Sequence, residues 1–169
     1  MSFITADDNN NPWGDDPVKG NSEARIRAAL NDLNLEVLVY KPPDDARNWK
    51  PADFLVWWRD PDYFRQGSAM IEVKESPGKL TFPVRDLRPS QRLGMAQAGK
   101  VSVPYWLVIW WPQLTKWTIS EGARVLVYLE TVPSATSLDY MWLSSTAGTD
   151  CATRDLAPIL RSVLLGEVD

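Results

Sequence analysis

Glu72 and Lys74 are charged residues in the otherwise apolar segment AMIEVKES, residues 69–76. Side chains of a strand alternate between its two faces, so in a strand the carboxylate and the ammonium would point the same way. The pair is either a structural salt bridge or part of a site in which the carboxylate binds a metal and the lysine is catalytic. Chance supplies roughly one acid-x-lysine triplet in a chain of this composition, so the surroundings must decide.

A second carboxylate, that of Asp53, begins the preceding apolar segment ADFLVWWR, residues 52–59. If the two segments are adjacent strands, Asp53 lies beside the Glu72 end of its neighbour. Two converging carboxylates repel each other, and a hard cation relieves the repulsion. Mg²⁺ suits such a site because it prefers oxygen ligands and retains several waters. The carbonyl of Val73 is a candidate further ligand, and Lys74 would activate water or stabilise charge on a phosphate.

Two further polar residues are candidates for the same interior. Gln91 shares a helical stripe with Met95 and Ala98, and Glu23 begins the inward stripe of the first predicted helix. Each also has an ordinary explanation. Gln91 fits a half-buried amide, and Glu23 lies in a first helical turn, where the helix dipole favours acids.

The absence of histidine among the 169 residues excludes whole classes of catalyst. It rules out Ser-His-Asp and Cys-His hydrolases, His-ligated zinc sites and histidine-dependent nucleases. Acid–base chemistry must therefore use Asp, Glu, Lys, Tyr or metal-bound water. Cys151 is the only cysteine, which excludes an internal disulfide and predicts a reducing, cytoplasmic location. No apolar run reaches the roughly 18 residues of a membrane span, and the N-terminus lacks the pattern of a secretory signal.

Basic residues are concentrated in one part of an acidic chain. The net charge is −4, yet residues 65–103 contain seven basic and three acidic side chains. A local basic surface can bind phosphates whatever the distant charge, although an ordinary solvated face fits the charge pattern equally well. The nucleic-acid-binding candidates are Lys79, Arg85, Arg88, Arg92 and Lys100.

Hydrophobic periodicity divides the chain into helices and strands. Helices are predicted at residues 22–34, 90–98 and 155–165, the second ended by Gly99 and the third by Gly166. Strands are predicted at residues 35–41, 52–59, 68–76, 105–111 and 114–120. The segment 124–131 fits helix or strand, with helix favoured, and residues 77–90 are predicted to be irregular. The order predicts an α/β fold with a mixed sheet.

One domain is predicted, with a short arm before it. Residues 1–20 are polar and acidic and are expected to form a mobile N-terminal arm. Residues 21–169 form the domain, with a core at about 21–118 and a C-terminal extension at 119–169.

The segments PADFLVWW, AMIEVKES, RPSQRLGMAQAG and PYWLVIWW together resemble the PD-(D/E)XK nuclease superfamily. Within it, the chain is most similar to RecU-type Holliday junction resolvases, over residues 23–117. The resemblance implies a restriction-endonuclease-like mixed sheet flanked by helices. It also implies that Asp53 and Glu72 bind metal, that Lys74 is the catalytic lysine, and that Gln91 and Glu23 are the helix glutamine and the first-helix acid of the site.

The function implied is that of a magnesium-dependent DNA endonuclease, with Mn²⁺ as a possible substitute. The expected substrate is branched DNA, a four-way junction nicked in pairs by a homodimer, since a two-fold assembly matches two symmetric cleavage points. One alternative is a related repair or phage nuclease that cuts flaps or duplex DNA. Another is a catalytically silent DNA-binding protein of the same fold.

Overall fold

Eight strands and five α-helices lie within the part of the chain that the computed structural model describes, residues 21–43 and 50–167. The helices are α1 (Ser22–Asn31), α2 (Pro89–Lys100), α3 (Gly122–Thr131), α4 (Tyr140–Ser145) and α5 (Leu156–Leu165). The strands are β1 (Glu36–Tyr40), β2 (Phe54–Asp60), β3 (Arg65–Glu75), β4 (Thr81–Pro83), β5 (Tyr105–Trp111), β6 (Lys116–Glu121), β7 (Ser137–Asp139) and β8 (Gly148–Ala152). The predicted N-terminal arm lies outside the described residues.

Six strands form one sheet in the order β1-β2-β3-β5-β6-β8. Strands β3 and β5 are parallel, and every other neighbouring pair is antiparallel. A parallel pair requires a crossover, and α2 lies in the connection between β3 and β5. The predicted fold class is therefore confirmed: this is a mixed sheet flanked by helices, consistent with a restriction-endonuclease-like fold.

Each face of the sheet packs against its own helices. The apolar stripe of α1 and that of α5 cover one face, where Ile26, Leu30 and Leu160 are fully buried against Val108. Helices α2, α3 and α4 cover part of the other face and bury Met95, Leu107 and Ile109 with their neighbours. Strand β5 is buried on both faces, which explains its continuous apolar sequence, YWLVIWW.

Several predicted boundaries are wrong, for local reasons. Helix α1 ends at Asn31 rather than residue 34, and α2 continues through Gly99 to Lys100 because one exposed glycine costs a helix only about 1 kcal/mol. Residues 77–90 are not irregular throughout, since they contain β4 and a 3₁₀ turn at Val84–Asp86. Segment 124–131 is helical, and Gly166 ends α5 in the left-handed conformation, with φ of 70°.

The residues predicted as a C-terminal extension pack into the body of the domain. Strand β8 pairs with β6 in the main sheet, and β7 pairs with β4 in a two-stranded sheet. Neither strand was predicted, nor was α4, because each is six residues or shorter. Within the described ranges, no helix has the length and apolar character needed to cross a bilayer.

Candidate active site

An opening beside β3 locates the candidate site. The ladder between β2 and β3 ends at the pair Phe54–Ile71, whereas β3 continues to Glu75 and pairs with β5 along that extra length. Among the described residues, no strand therefore neighbours residues 72–75 on the β2 side. Asp53 lies in the bend just before β2, and its Oδ2 accepts a hydrogen bond from the Val73 amide at 2.9 Å. A carboxylate thus replaces the missing strand at this point.

The structure brings Asp53 and Glu72 together on one face. Extending the register by one residue puts Asp53 opposite Glu72, and paired residues of an antiparallel ladder share a face. On the next strand, Glu72 and Lys74 pair with Leu107 and Ile109, which belong to the core beneath α2. The carboxylates and Lys74 consequently face α2.

Glu72 is fully buried and only half satisfied. Its Oε1 accepts hydrogen bonds from Lys74 Nζ, at 2.8 Å, and from Gln91 Nε2. Its Oε2 is also buried and accepts no hydrogen bond from any residue in ranges 21–43 and 50–167, although the Asp53 carboxylate is close enough to share a proton with Glu72. A buried polar atom without a partner is costly, so the free oxygen marks a place for a ligand that it could bind.

Burial and charge act on the proton affinity of this carboxyl. Desolvation, reinforced by the nearby charge of Asp53, raises the pKa of Glu72 to about 7, although the Lys74 ammonium opposes the shift. Burial, with the same two carboxylates, also raises the pKa of Tyr105 far above its usual range. Both pKa shifts come first from burial, and the neighbouring carboxylates add to it.

Gln91 is held in place by the start of α2. Its Nε2 donates to Glu72, while its Oε1 accepts a hydrogen bond of 2.8 Å from the Arg88 amide. The side chain therefore links the carboxylate to the helix N-terminus. Gln91 is therefore more than a half-buried amide without a role: it is buried and forms a hydrogen bond with a carboxylate of the site.

Three residues that sequence reasoning missed support Asp53. Lys50 Nζ lies 2.9 Å from Asp53 Oδ1, and the Tyr105 hydroxyl donates to the Pro51 carbonyl at 2.7 Å. Gly94 of α2 packs so closely that an added Cβ would lie 2.7 Å from the Pro51 oxygen. A glycine inside a helix was the one available signal, because it indicates close backbone approach. Nothing in the sequence pointed to Tyr105 or Lys50.

The donor set at the opening fits a magnesium ion. No cluster of three or more Asp, Glu or Cys side chains suited to a metal occurs in residues 21–43 and 50–167. Magnesium commonly uses one or two carboxylates and keeps waters for its other positions. Glu72 Oε2 accepts no hydrogen bond from a described residue, and Asp53 carries a second lone pair on each oxygen. The Val73 carbonyl lies on the same edge of β3 as its amide, toward Asp53.

Glu23 lies beside the site rather than within its buried part. It is half-exposed and forms an ion pair with Lys41, the residue after β1. Both residues line a groove that Val73 and Lys74 also line. Glu23 was predicted to face the interior, and this is only partly correct. The side chain lies at the edge of the site and remains half-exposed.

The five basic candidates do not form one surface. Lys79, Arg85 and Arg88 are exposed in the segment between β3 and α2. Arg92 instead donates from its guanidinium to the Val84 carbonyl at 2.8 Å, which ties α2 to the preceding turn. Lys100 is exposed at the other end of α2, about 14 Å from Gln91 along the helix axis.

No family model matches this chain, and no curated protein matches its sequence. The geometry around Glu72 is thus the basis on which a function can be argued.

Proposed function

We propose that this protein is a magnesium-dependent DNA endonuclease, and that its substrate is a four-way DNA junction. The observation that carries the proposal is the gathering of Asp53, Glu72, Lys74 and Gln91 at the open edge of β3. Within the part of the chain that the structure describes, the buried Glu72 Oε2 accepts no hydrogen bond. Strongly perturbed carboxylates with specific charged partners are typical of catalytic sites.

A structural role alone explains this arrangement poorly. A buried ion pair contributes little net stability, because desolvation offsets the attraction between the charges. Here the cost is greater still, since Asp53 adds a like charge and one Glu72 oxygen makes no hydrogen bond. A catalytically silent protein would gain from apolar residues at these positions, so the enzyme is favoured over that alternative.

The chain's own residues have separate roles in the proposed reaction. Asp53, Glu72 and the Val73 carbonyl would hold Mg²⁺, which supplies a Lewis acid and lowers the pKa of bound water. Gln91 fixes the orientation of Glu72 by donating to Oε1. Lys74 is partly exposed, and its ammonium can donate to a non-bridging phosphate oxygen where negative charge develops.

Hydrolysis then follows from positioning and charge stabilisation. Water attacks phosphorus, the bond between phosphorus and the 3′ oxygen breaks, and the departing oxygen takes up a proton. The products are 5′-phosphate and 3′-hydroxyl ends. Branched DNA is proposed over flaps and duplex because of the resemblance in sequence, and a homodimer would place two such sites across the junction. Exposed Lys79, Arg85 and Arg88 offer phosphate contacts beside the site.

The test compares cleavage of a labelled four-way junction with that of a duplex of matched sequence, with the cut sites mapped. Magnesium or manganese should support paired, symmetric nicks, and a chelator should abolish them. Lys74→Ala should lose cleavage but still bind the junction, because the other basic side chains, Lys79, Arg85 and Arg88, remain as phosphate contacts.

Lys116→Ala is the matched control. Lys116 is also a strand lysine paired with a carboxylate, at 2.7 Å from Asp150, but it lies on β6, away from the site. It should cut at the wild-type rate. Wild-type cleavage by Lys74→Ala would refute the lysine's role, and equal cutting of junction and duplex would favour the general-nuclease alternative.

A further inference from the structure

A groove of about 520 Å³ lies on the α1 side of the opening beside β3. It exists because β2 begins only at Phe54, so that the end of β3 faces the first turns of α1 instead of another strand. Val73 and Lys74 line it at one end, and Glu23, Arg27 and Lys41 line it on the α1 side. The proposed catalytic lysine is therefore part of the groove lining.

The charges in this groove are partnered, with one exception. Glu23 pairs with Lys41, Lys74 pairs with Glu72, and Glu75 accepts a hydrogen bond from Ser22 at 3.1 Å. Arg27 makes no hydrogen bond or ion pair with any residue in the described ranges.

Helix spacing alone would predict an ion pair for Arg27. Glu23 and Arg27 are four residues apart on α1, a spacing that favours a salt bridge between them. Glu23 instead pairs with Lys41, which leaves Arg27 half-buried with its donors available. The side chains that line the groove are three basic and two acidic. Lys41 and Lys74 are paired with Glu23 and Glu72, and Glu75 is bound only by a neutral hydroxyl, so Arg27 is the basic member with its charge uncompensated among the described residues.

We propose that this groove binds the sugar–phosphate backbone of the strand to be cut, with Arg27 as its principal phosphate contact. An arginine presents a planar fork of donors that matches two phosphate oxygens. The groove shares Lys74 with the catalytic cluster, so a phosphate bound at Arg27 is a near neighbour of the scissile one on the same strand. This inference rests on the proposed function, because it takes the strand held at Glu72 as its ligand.

The groove also defines the path of that strand. Arg85 and Arg88 are next to Val84 and Leu87 of the core on the α2 side of the sheet, whereas Arg27 lies on α1, which packs on the other face. A strand in contact with both sides would pass through the opening that β2 leaves beside Glu72. Contacts on either side of the scissile phosphate would fix its position along the strand.

The test measures binding of a fluorescein-labelled four-way junction by anisotropy in EDTA, over a range of KCl concentrations. Arg27→Ala and Arg27→Gln should weaken binding about fivefold to tenfold and reduce the slope of log affinity against log salt by about 0.7–0.9, the value for one lost phosphate contact. Arg27→Lys should restore the slope, since it keeps the charge, but only part of the affinity.

Arg154→Ala is the control of equal charge change. Arg154 is 88% exposed beside Asp155, next to β8 at the opposite edge of the sheet. An effect of Arg27→Ala no larger than that of Arg154→Ala would overturn the proposal, as would a junction that fails to bind the wild-type protein. Thermal melting of each variant excludes unfolding as the cause, and Arg27→Lys provides a second comparison if Arg27→Ala melts early.

The outcomes separate this inference from the proposed function. If the wild-type protein cuts junctions but Arg27→Ala binds them normally, the groove assignment fails and the nuclease proposal stands. If the wild-type protein never cuts, yet Arg27→Ala lowers the salt slope as expected, the groove stands and the catalytic proposal fails.

Discussion

Replacing Glu72 with glutamine should change how the stability of the metal-free protein depends on pH. Glu72 has its pKa raised from an ordinary value of 4.5 to about 7 by burial and by Asp53. The folded state therefore holds a proton at this carboxyl between pH 4.5 and 7, where the unfolded state has lost it. Stability from this group is fully present below pH 4.5 and is lost as the pH rises through 7.

The expected magnitude follows from the width of that window. Each unit of pKa shift corresponds to about 1.4 kcal/mol, so Glu72 should remove about 3 kcal/mol of unfolding free energy between pH 4.5 and pH 8. Glu72→Gln carries no titrating proton and avoids this loss. Its amide oxygen can still accept the Gln91 hydrogen bond. The loss of the carboxylate partner of Lys74 is a cost, which makes the pH dependence of the difference more informative than its value at one pH.

Urea unfolding in EDTA from pH 5 to pH 9 measures the effect. The unfolding free energy of Glu72→Gln minus that of the wild-type protein should rise by about 1.4 kcal/mol per pH unit below pH 7 and then level off. Glu121→Gln, which alters a half-exposed acid paired with Arg124, is the control to which the slope of Glu72→Gln is compared. A flat difference for Glu72→Gln would refute the argument that burial and Asp53 control this site.

The effect of Mg²⁺ on the melting temperature also distinguishes the wild-type protein from Glu72→Gln. A ligand that binds only the folded state stabilises it in proportion to the logarithm of its concentration. At pH 8, Mg²⁺ should therefore raise the melting temperature of the wild-type protein but not that of Glu72→Gln. Equal stabilisation of the two would place the metal elsewhere.

Two further substitutions test the packing that positions the site. Gly94→Ala would put a Cβ 2.7 Å from the Pro51 oxygen, so it should lower the unfolding free energy by about 1–3 kcal/mol and weaken Mg²⁺-induced stabilisation. Gly99→Ala, in the same helix with no neighbouring atom within 4 Å of its Cβ, should raise stability by about 0.5–1 kcal/mol; similar effects of the two glycine substitutions would contradict the close-contact argument. Leu160→Ala should cost about 2–5 kcal/mol in urea unfolding because Leu160 is 1% exposed in the core beneath α5, and a loss below 1 kcal/mol would show α5 to be a dispensable appendage.

Much of the fold and the centre of the site could be predicted from local sequence. The alternation of a strand is a local property, so it places Glu72 and Lys74 on one face before any partner strand is known. Helical periodicity likewise places Gln91 on the buried side of α2 with Met95, as the structure shows. The long apolar run of β5 indicates a strand covered on both faces. These predictions succeed because neighbouring residues alone determine them.

Short elements could not be predicted in the same way. Strand β8 has five residues, half-buried except for Cys151, and it is held in the sheet by its ladder with β6. Strand β7 has three residues and exists through its pairing with β4. A few residues carry too little periodicity to identify a strand, and the stabilising partner lies far away along the chain.

The chain by itself determined which residue types reach the site and which faces they occupy; tertiary structure decided what those residues can do there. The register of β2 on β3 leaves the opening beside Glu72, and no local pattern states where a ladder ends. The packing of distant elements likewise leaves Glu72 Oε2 and Arg27 without hydrogen-bond partners in the described ranges. Lys41 takes Glu23 away from Arg27 only because the end of β1 lies beside α1. The pKa of Glu72 depends on burial and on charges from separate segments, and only the folded chain brings these together.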